Sequence, residues 1–192
     1  MKNGKQFRTP SKGECANYLA ALPDTAFEQF LFVHAIGGTF TTIAIFEHTL
    51  INALWAARGI KIDAVDRVAT SPANKIMEKR DYLQSKTLGN IINVLVENNA
   101  DGVDIDYLKF LQKKRDFFIH RFFSTYPWPG DVGQYDVDIM CRKLKYLEII
   151  FGRAAERIWN IIGHNGYAEI VDLGLAGKLL VNNFDADHPF AG

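Results

Sequence analysis

The sequence predicts an all-α fold: an up-and-down bundle of four to five helices with a short C-terminal arm. Three observations carry this. Long stretches hold apolar residues at three- and four-residue spacing, capping residues and prolines stand where those stretches begin, and no stretch alternates convincingly enough to read as a strand. A chain of 192 residues, 48% hydrophobic and 23% charged, can bury a substantial core in one domain.

Residues 1–23 read as an N-terminal extension. Met1 to Pro10 is polar and lacks the apolar stretch of a secretory signal. Asp24, after Pro23, is the expected N-cap of an apolar run from Phe27 to Ala57 that ends at Gly59, with Gly37-Gly38 as the place for a kink. Between Gln29 and Phe46 the only ionisable residue is His34, and that length just reaches a membrane span. Thr39, Thr41 and Thr42 inside it, and Glu28 and Glu47 where basic anchors would stand, point instead to a central core helix and no membrane.

Ser71-Pro72, a cap followed by proline at the first helical position, opens a second helical region. It is expected to break near Gly89 and to stop at Asn98-Asn99. Asp104 is the expected cap of a third helix, which buries Ile105, Leu108, Leu111, Phe118 and Phe122 and ends at Pro127 and Pro129. A fourth runs from Val137 to Ile162 and stops at Gly163. The helical bundle domain therefore spans residues 24–163, and residues 164–192 form an arm and tail, with Ala168 to Leu180 either a short helix or extended.

Composition narrows the function. Net charge is zero, so nucleic acid would have to be held by a local patch. Cys15 and Cys141 are far apart, which suggests a reducing, cytoplasmic setting. No Glu-x-x-His pair, His-Glu-x-x-His motif or cysteine cluster is present, so no metal site is expected, and His34 and His48 stand about 21 Å apart along a helix, too far to share an ion. Gly-rich phosphate loops are absent as well, and no cofactor is expected.

Arg115-Asp116-Phe117-Phe118-Ile119-His120 stands out because a guanidinium and an imidazole sit in a run of bulky apolar residues. Spacing alone says little, since chance supplies about 0.7 Arg-x(4–6)-His matches in such a chain. The chain holds a second, Arg157 to His164, but His164-Asn165-Gly166 reads as a helix end. Around the first, Lys113, Lys114 and Arg121 form a basic cluster that could track a phosphate backbone, or simply a solvated face. Tyr126 and Trp128 follow on a proline-rich loop, where aromatics either stack on unpaired bases or close a turn. Glu47 lies within the most apolar helix: if buried it needs a partner, which Arg115 or His120 could supply, and capping of a neighbouring helix or simple exposure fits it equally well.

Arg115-Asp116 with His120 and the aromatic run Phe122-Phe123 resembles the motif of the HEPN-like helical domains: Arg, a polar residue, then a His a few positions on. Lys86-Thr87-Leu88-Gly89 and Phe46-Glu47-His48-Thr49-Leu50 are similar to segments of bacterial members, and the likeness covers about residues 25 to 162. The common form has Asn after the Arg, where this chain has Asp116. The resemblance implies a four- to five-helix domain that forms a homodimer and brings two Arg–His pairs into one cleft. Many members are metal-independent endoribonucleases, acting as toxins with a cognate antitoxin or as antiphage effectors. Others are inactive RNA-binding or dimerisation modules.

The chemistry stands on the residues as well. RNA cleavage by its own 2′-hydroxyl needs a base, an acid for the leaving 5′-oxygen, and positive charge on the phosphorus centre. An imidazole exchanges protons near neutral pH, which suits His120 to either proton transfer. Arg115 would hold phosphate oxygens, and Asp116, four residues before His120, would orient the ring. On a regular helix Arg115 and His120 diverge by about 140°, so one copy is incomplete and a symmetric partner would answer the need. The alternative is a catalytically inactive helical dimerisation or protein-interaction module, with Arg115 and Asp116 solvated and His120 in the core.

Overall fold

The computed structural model describes residues 11–57, 59–68, 71–126 and 134–167, and the expectations for Met1 to Pro10 and for residues 168–192 lie outside them. Among the described residues the chain is all-helical, with no strand and eight helices: α1 (Lys12–Ala20), α2 (Asp24–Ala56), α3 (Asp63–Asp66), α4 (Pro72–Gln84), α5 (Leu88–Glu97), α6 (Gly102–His120), α7 (Phe122–Thr125) and α8 (Gln134–His164).

Local chemistry explains most boundaries, and in places corrects the expected ones. Ser71 Oγ accepts from the Asn74 amide, with Pro72 at the first helical position, as the sequence indicated. The expected break near Gly89 falls earlier, at Ser85 to Thr87, where the Thr87 hydroxyl caps α5. Gly89 lies inside α5, where an added Cβ would come within 2.8 Å of Gln112 Nε2 on α6. It makes room there for the end of the Gln112 side chain and does not terminate the helix.

Four further expectations are displaced. Asp24 is the first residue of α2 and Pro23 occupies the cap. Gly37-Gly38 do not interrupt α2, because helical hydrogen bonding continues through 33 residues and Thr41 and Thr42 return hydroxyl bonds to their carbonyls. Asp101, not Asp104, caps α6 by accepting from the Val103 amide at 2.7 Å. Asp104 is buried one turn in and accepts from Asn165 Nδ2 at 2.8 Å. Finally, α8 passes through Gly163 and ends at His164, and the positive φ that a glycine accommodates falls at Gly166, φ 73°. The N-terminal extension also contains a helix: Ser11 and Glu14 form a reciprocal capping box for α1.

The bundle is organised on α2 and α8. Thr39 Oγ1 donates to the Leu144 carbonyl at 3.1 Å, and the rings of Phe46 and Phe151 lie 5.4 Å apart. Both sequence numbers advance together from one contact to the next, so the two helices run parallel. Lys61 pairs with Asn98, and Tyr167 donates to the Asn98 carbonyl, so α2, α5 and α8 all end at one pole. Asp101 and Asp104 meet Asn165 there, so α6 begins at that pole. With α4 packed back along α2 from the same end, the five principal helices alternate in direction. Phe122 closes the opposite end, fully buried among Phe32, Phe118 and Tyr126.

Burial within this frame is uneven. Ala26–Ala56 is long and apolar enough to cross a membrane, yet only 22% of its most apolar window is buried within the molecule. One side carries Phe32, Ile43, Phe46, Leu50 and Leu54 into the core, and the other stays open. α2 is therefore a core helix on one side only.

At the pole where α2 ends, buried Lys79 donates to the carbonyls of Ala57 (2.7 Å) and Ile60 (3.2 Å). Burial pushes its ammonium down from 10.5 to about 8, against the opposing pull of Asp66. The Lys75 ammonium, paired with Asp66, holds that carboxyl below its usual range. Between pH 8 and 10.5 the folded chain binds fewer protons at Lys79 than the unfolded chain, so this group adds stability as pH rises through that window. Relative to Lys79→Met, wild type should gain up to about 1.4 kcal/mol per pH unit there and nothing below the window, read by chemical denaturation across pH. Truncating Phe122 to Ala should cost about 3–5 kcal/mol and lower the thermal midpoint.

Candidate functional site

α6 carries the candidate residues and, being regular from Gly102 to His120, fixes their directions. Leu108, Leu111, Arg115, Phe118 and Phe122 follow one another at three- and four-residue steps, so Arg115 occupies a position of the buried face. A guanidinium there needs anionic partners. Its Nε donates to Glu47 Oε1 at 3.0 Å and its Nη1 to Asp116 Oδ1 at 3.1 Å, which uses two of its five N–H donors. Glu47 is thus drawn from α2 to α6, and both side chains are 28% exposed. One cation with two carboxylates leaves the cluster net negative, which opposes a phosphate unless one carboxylate moves away.

His120 is exposed at the last position of α6. It points about 140° around the helix from Arg115 and lies about 7.5 Å further along the axis. The two do not converge within one chain. Asp116 shares a helical face with His120, but its recorded bond goes to Arg115. Below His120 on that outer stripe stand exposed Lys113 and Lys109, while Arg121, also exposed, turns the chain from α6 into α7. Lys109 stands apart in sequence from the run Lys113 to Arg121 and joins it only through the helix. The usable signal was spacing, since 109, 113, 116 and 120 follow helical steps.

The basic cluster is dispersed by the same geometry. Lys114 turns toward α8, its Nζ 5.3 Å from the Phe110 ring and 5.8 Å from the Tyr146 ring. Lys113 points outward and Arg115 inward. Tyr126 is half-buried: its ring meets Phe122 at 5.2 Å, and its hydroxyl accepts from Lys143, whose ammonium also lies 4.3 Å from the ring. It ties the α7 end to α8, with part of its surface left to solvent. Trp128 lies outside the described residues.

The rival pair, Arg157 and His164, lines an open cavity of about 570 Å³ at the opposite pole, with Asp101, Asp104, Asn160 and Ile161. The Arg157 guanidinium lies 4.6 Å over the Tyr107 ring, and the half-buried Tyr107 hydroxyl is pushed up by desolvation against the pull of Arg157. No group of three or more His, Cys, Asp or Glu suited to a metal occurs among the described residues. Cys15 is exposed and free; Cys141 is half-buried and free, and burial raises its thiol.

No family model matches the chain, and no curated protein or solved structure matches it. A double-mutant cycle on Glu47→Gln and Arg115→Met should return a coupling of about 0.5–1 kcal/mol that shrinks with added salt, because both side chains retain contact with water.

Proposed function

We propose that this chain is a HEPN-type RNA-binding protein that cleaves RNA without metal, acting as a homodimer with a composite Arg/His site. The observation that carries the reading is the exposed His120 at the end of α6, on one stripe with Lys109 and Lys113 and one residue from Arg121. Cations along that stripe suit a phosphate backbone, and the imidazole suits proton transfer beside it. Divergence of Arg115 from His120 within one helix makes the second chain a requirement.

In the reaction, one His120 takes the proton from a ribose 2′-hydroxyl. The freed oxygen attacks the adjacent phosphorus, and the bond to the 5′-oxygen breaks as the partner's His120 protonates it. The products are a 2′,3′-cyclic phosphate and a 5′-hydroxyl. Arg115 stabilises charge on the non-bridging oxygens, which requires it to exchange Asp116 or Glu47 for phosphate. Tyr126 and Trp128 would receive unpaired bases. A cytoplasmic toxin or antiphage effector, held by an antitoxin where one exists, is the biological role that fits such an activity.

A second reading is favoured by the Glu47–Arg115–Asp116 cluster itself, in which the arginine already serves as structural glue. The chain is then an inactive helical dimerisation or protein-interaction module. Incubating RNA with purified protein in the presence of a chelator separates the two. Wild type should yield cyclic-phosphate ends, with Arg115→Ala and His120→Ala each slower by about a hundredfold or more. Intact RNA with wild type, or equal cleavage by both variants, establishes the module instead.

A further inference from the structure

The side of α2 turned away from the core is a continuous apolar face. Phe27, Phe30, Val33, Phe40 and Ile45 lie on it and are 39–57% exposed. They extend about 27 Å along the helix axis. His34, stacked on Phe30, and His48 are the titratable groups within the stripe. Together with Leu31, these side chains expose on the order of 500 Å² of apolar surface, at the upper end of what a monomer usually shows.

We propose that a second copy of this chain packs on this face, giving a two-fold dimer built on α2 against α2. The proposal shares with the RNA-cleaving reading the need for a second chain and rests on that reading in this respect alone. The area fits: with Gly37, Thr41, Ala44 and the histidine rims included, the face approaches the roughly 800 Å² per partner of a stable interface. Its chemistry fits as well. Between Phe27 and Ile45 the stripe itself carries no Lys, Arg, Asp or Glu, with Glu47, paired to Arg115, and Glu148 standing only at its edges, and an apolar strip of this length is complementary to itself. Relief matches too: a Cβ built on Gly37 would meet nothing within 4 Å, so the missing side chain serves no packing inside this chain. Between Val33 and Phe40 it leaves a shallow seat for a bulky side chain from another helix.

A bilayer is a poorer occupant. α8 lies parallel against α2 and exposes Arg142, Lys143, Lys145 and Arg157, so inserting α2 would draw some of the costliest side chains toward hydrocarbon.

Sedimentation equilibrium of the full chain at micromolar concentration tests the proposal. Wild type is expected to be a dimer. Phe40→Glu with Ile45→Glu should weaken association by about a hundredfold, with helical content and thermal midpoint retained because both positions are exposed. In a Cys15→Ser background, Thr41→Cys should cross-link two chains on mild oxidation. A monomeric wild type overturns the proposal, as does a dimer that survives the double substitution. Flotation of a monomeric wild type with phosphatidylcholine vesicles, lost in the double variant, overturns it in favour of a lipid surface. RNA cleavage read on the same samples keeps the two ideas apart, since a dimer without cleavage leaves this interface standing and removes only the catalytic reading.

Discussion

Parallel packing of α2 against α8 is the constraint on which the rest of this molecule depends. Two helices of more than thirty residues, remote in sequence, share the buried strip that runs through Phe46 and Phe151. Parallel neighbours cannot be joined by a short turn. The intervening chain must go down and up again, which α4, α5 and α6 accomplish, and must return α8 to the starting pole. At that pole Phe122 follows α6 directly and packs against Phe32, near the start of α2. The position of α6, and therefore of Arg115 and His120, follows from this circuit.

Arg115 shows how such a frame constrains chemistry. It stands at a core position of α6 only because α2 offers Glu47 at the edge of its own buried face. The pairing secures α6 to α2 across a boundary where apolar packing is thin. It also sets two carboxylates against any anion that approaches the remaining N–H groups. Stability and phosphate binding thus draw on the same guanidinium, and the balance between them distinguishes an enzyme from a scaffold.

Legibility of the sequence followed the physics of each signal. The all-α class, the Ser71-Pro72 start and the buried positions Leu108, Leu111, Phe118 and Phe122 were readable because periodicity and caps are local. For Glu47 the residues left an ion pair, a helix cap and simple exposure equally open, and only the packing of α6 on α2 selects Arg115. Gly163 misled, because within a helix held by tertiary packing a glycine costs only about 1 kcal/mol and does not break it, and α2 likewise runs unsplit through Gly37 and Gly38. Asp104 misled for another reason: two aspartates stand three residues apart, and Asn165, remote in sequence, decides which of them is the cap. The parallel direction of α8 and the open side of α2 had no local signal at all. Both depend on how many helices pass before the chain returns.

That odd number has an electrostatic consequence. In an even, alternating bundle the backbone dipoles cancel at each end. Here α2 and α8 start toward the pole where α6 finishes, while the end of α4 and the start of α5 meet partway along the bundle and offset one another. By backbone dipoles alone, one helix start, equivalent to about half a positive charge, is in excess at that pole, with Asp24 in the first turn of α2 set against it. His120 and Arg121 lie at the same end. A chain with no net charge therefore has a polarity written by its topology, and its positive end is the one that carries the imidazole.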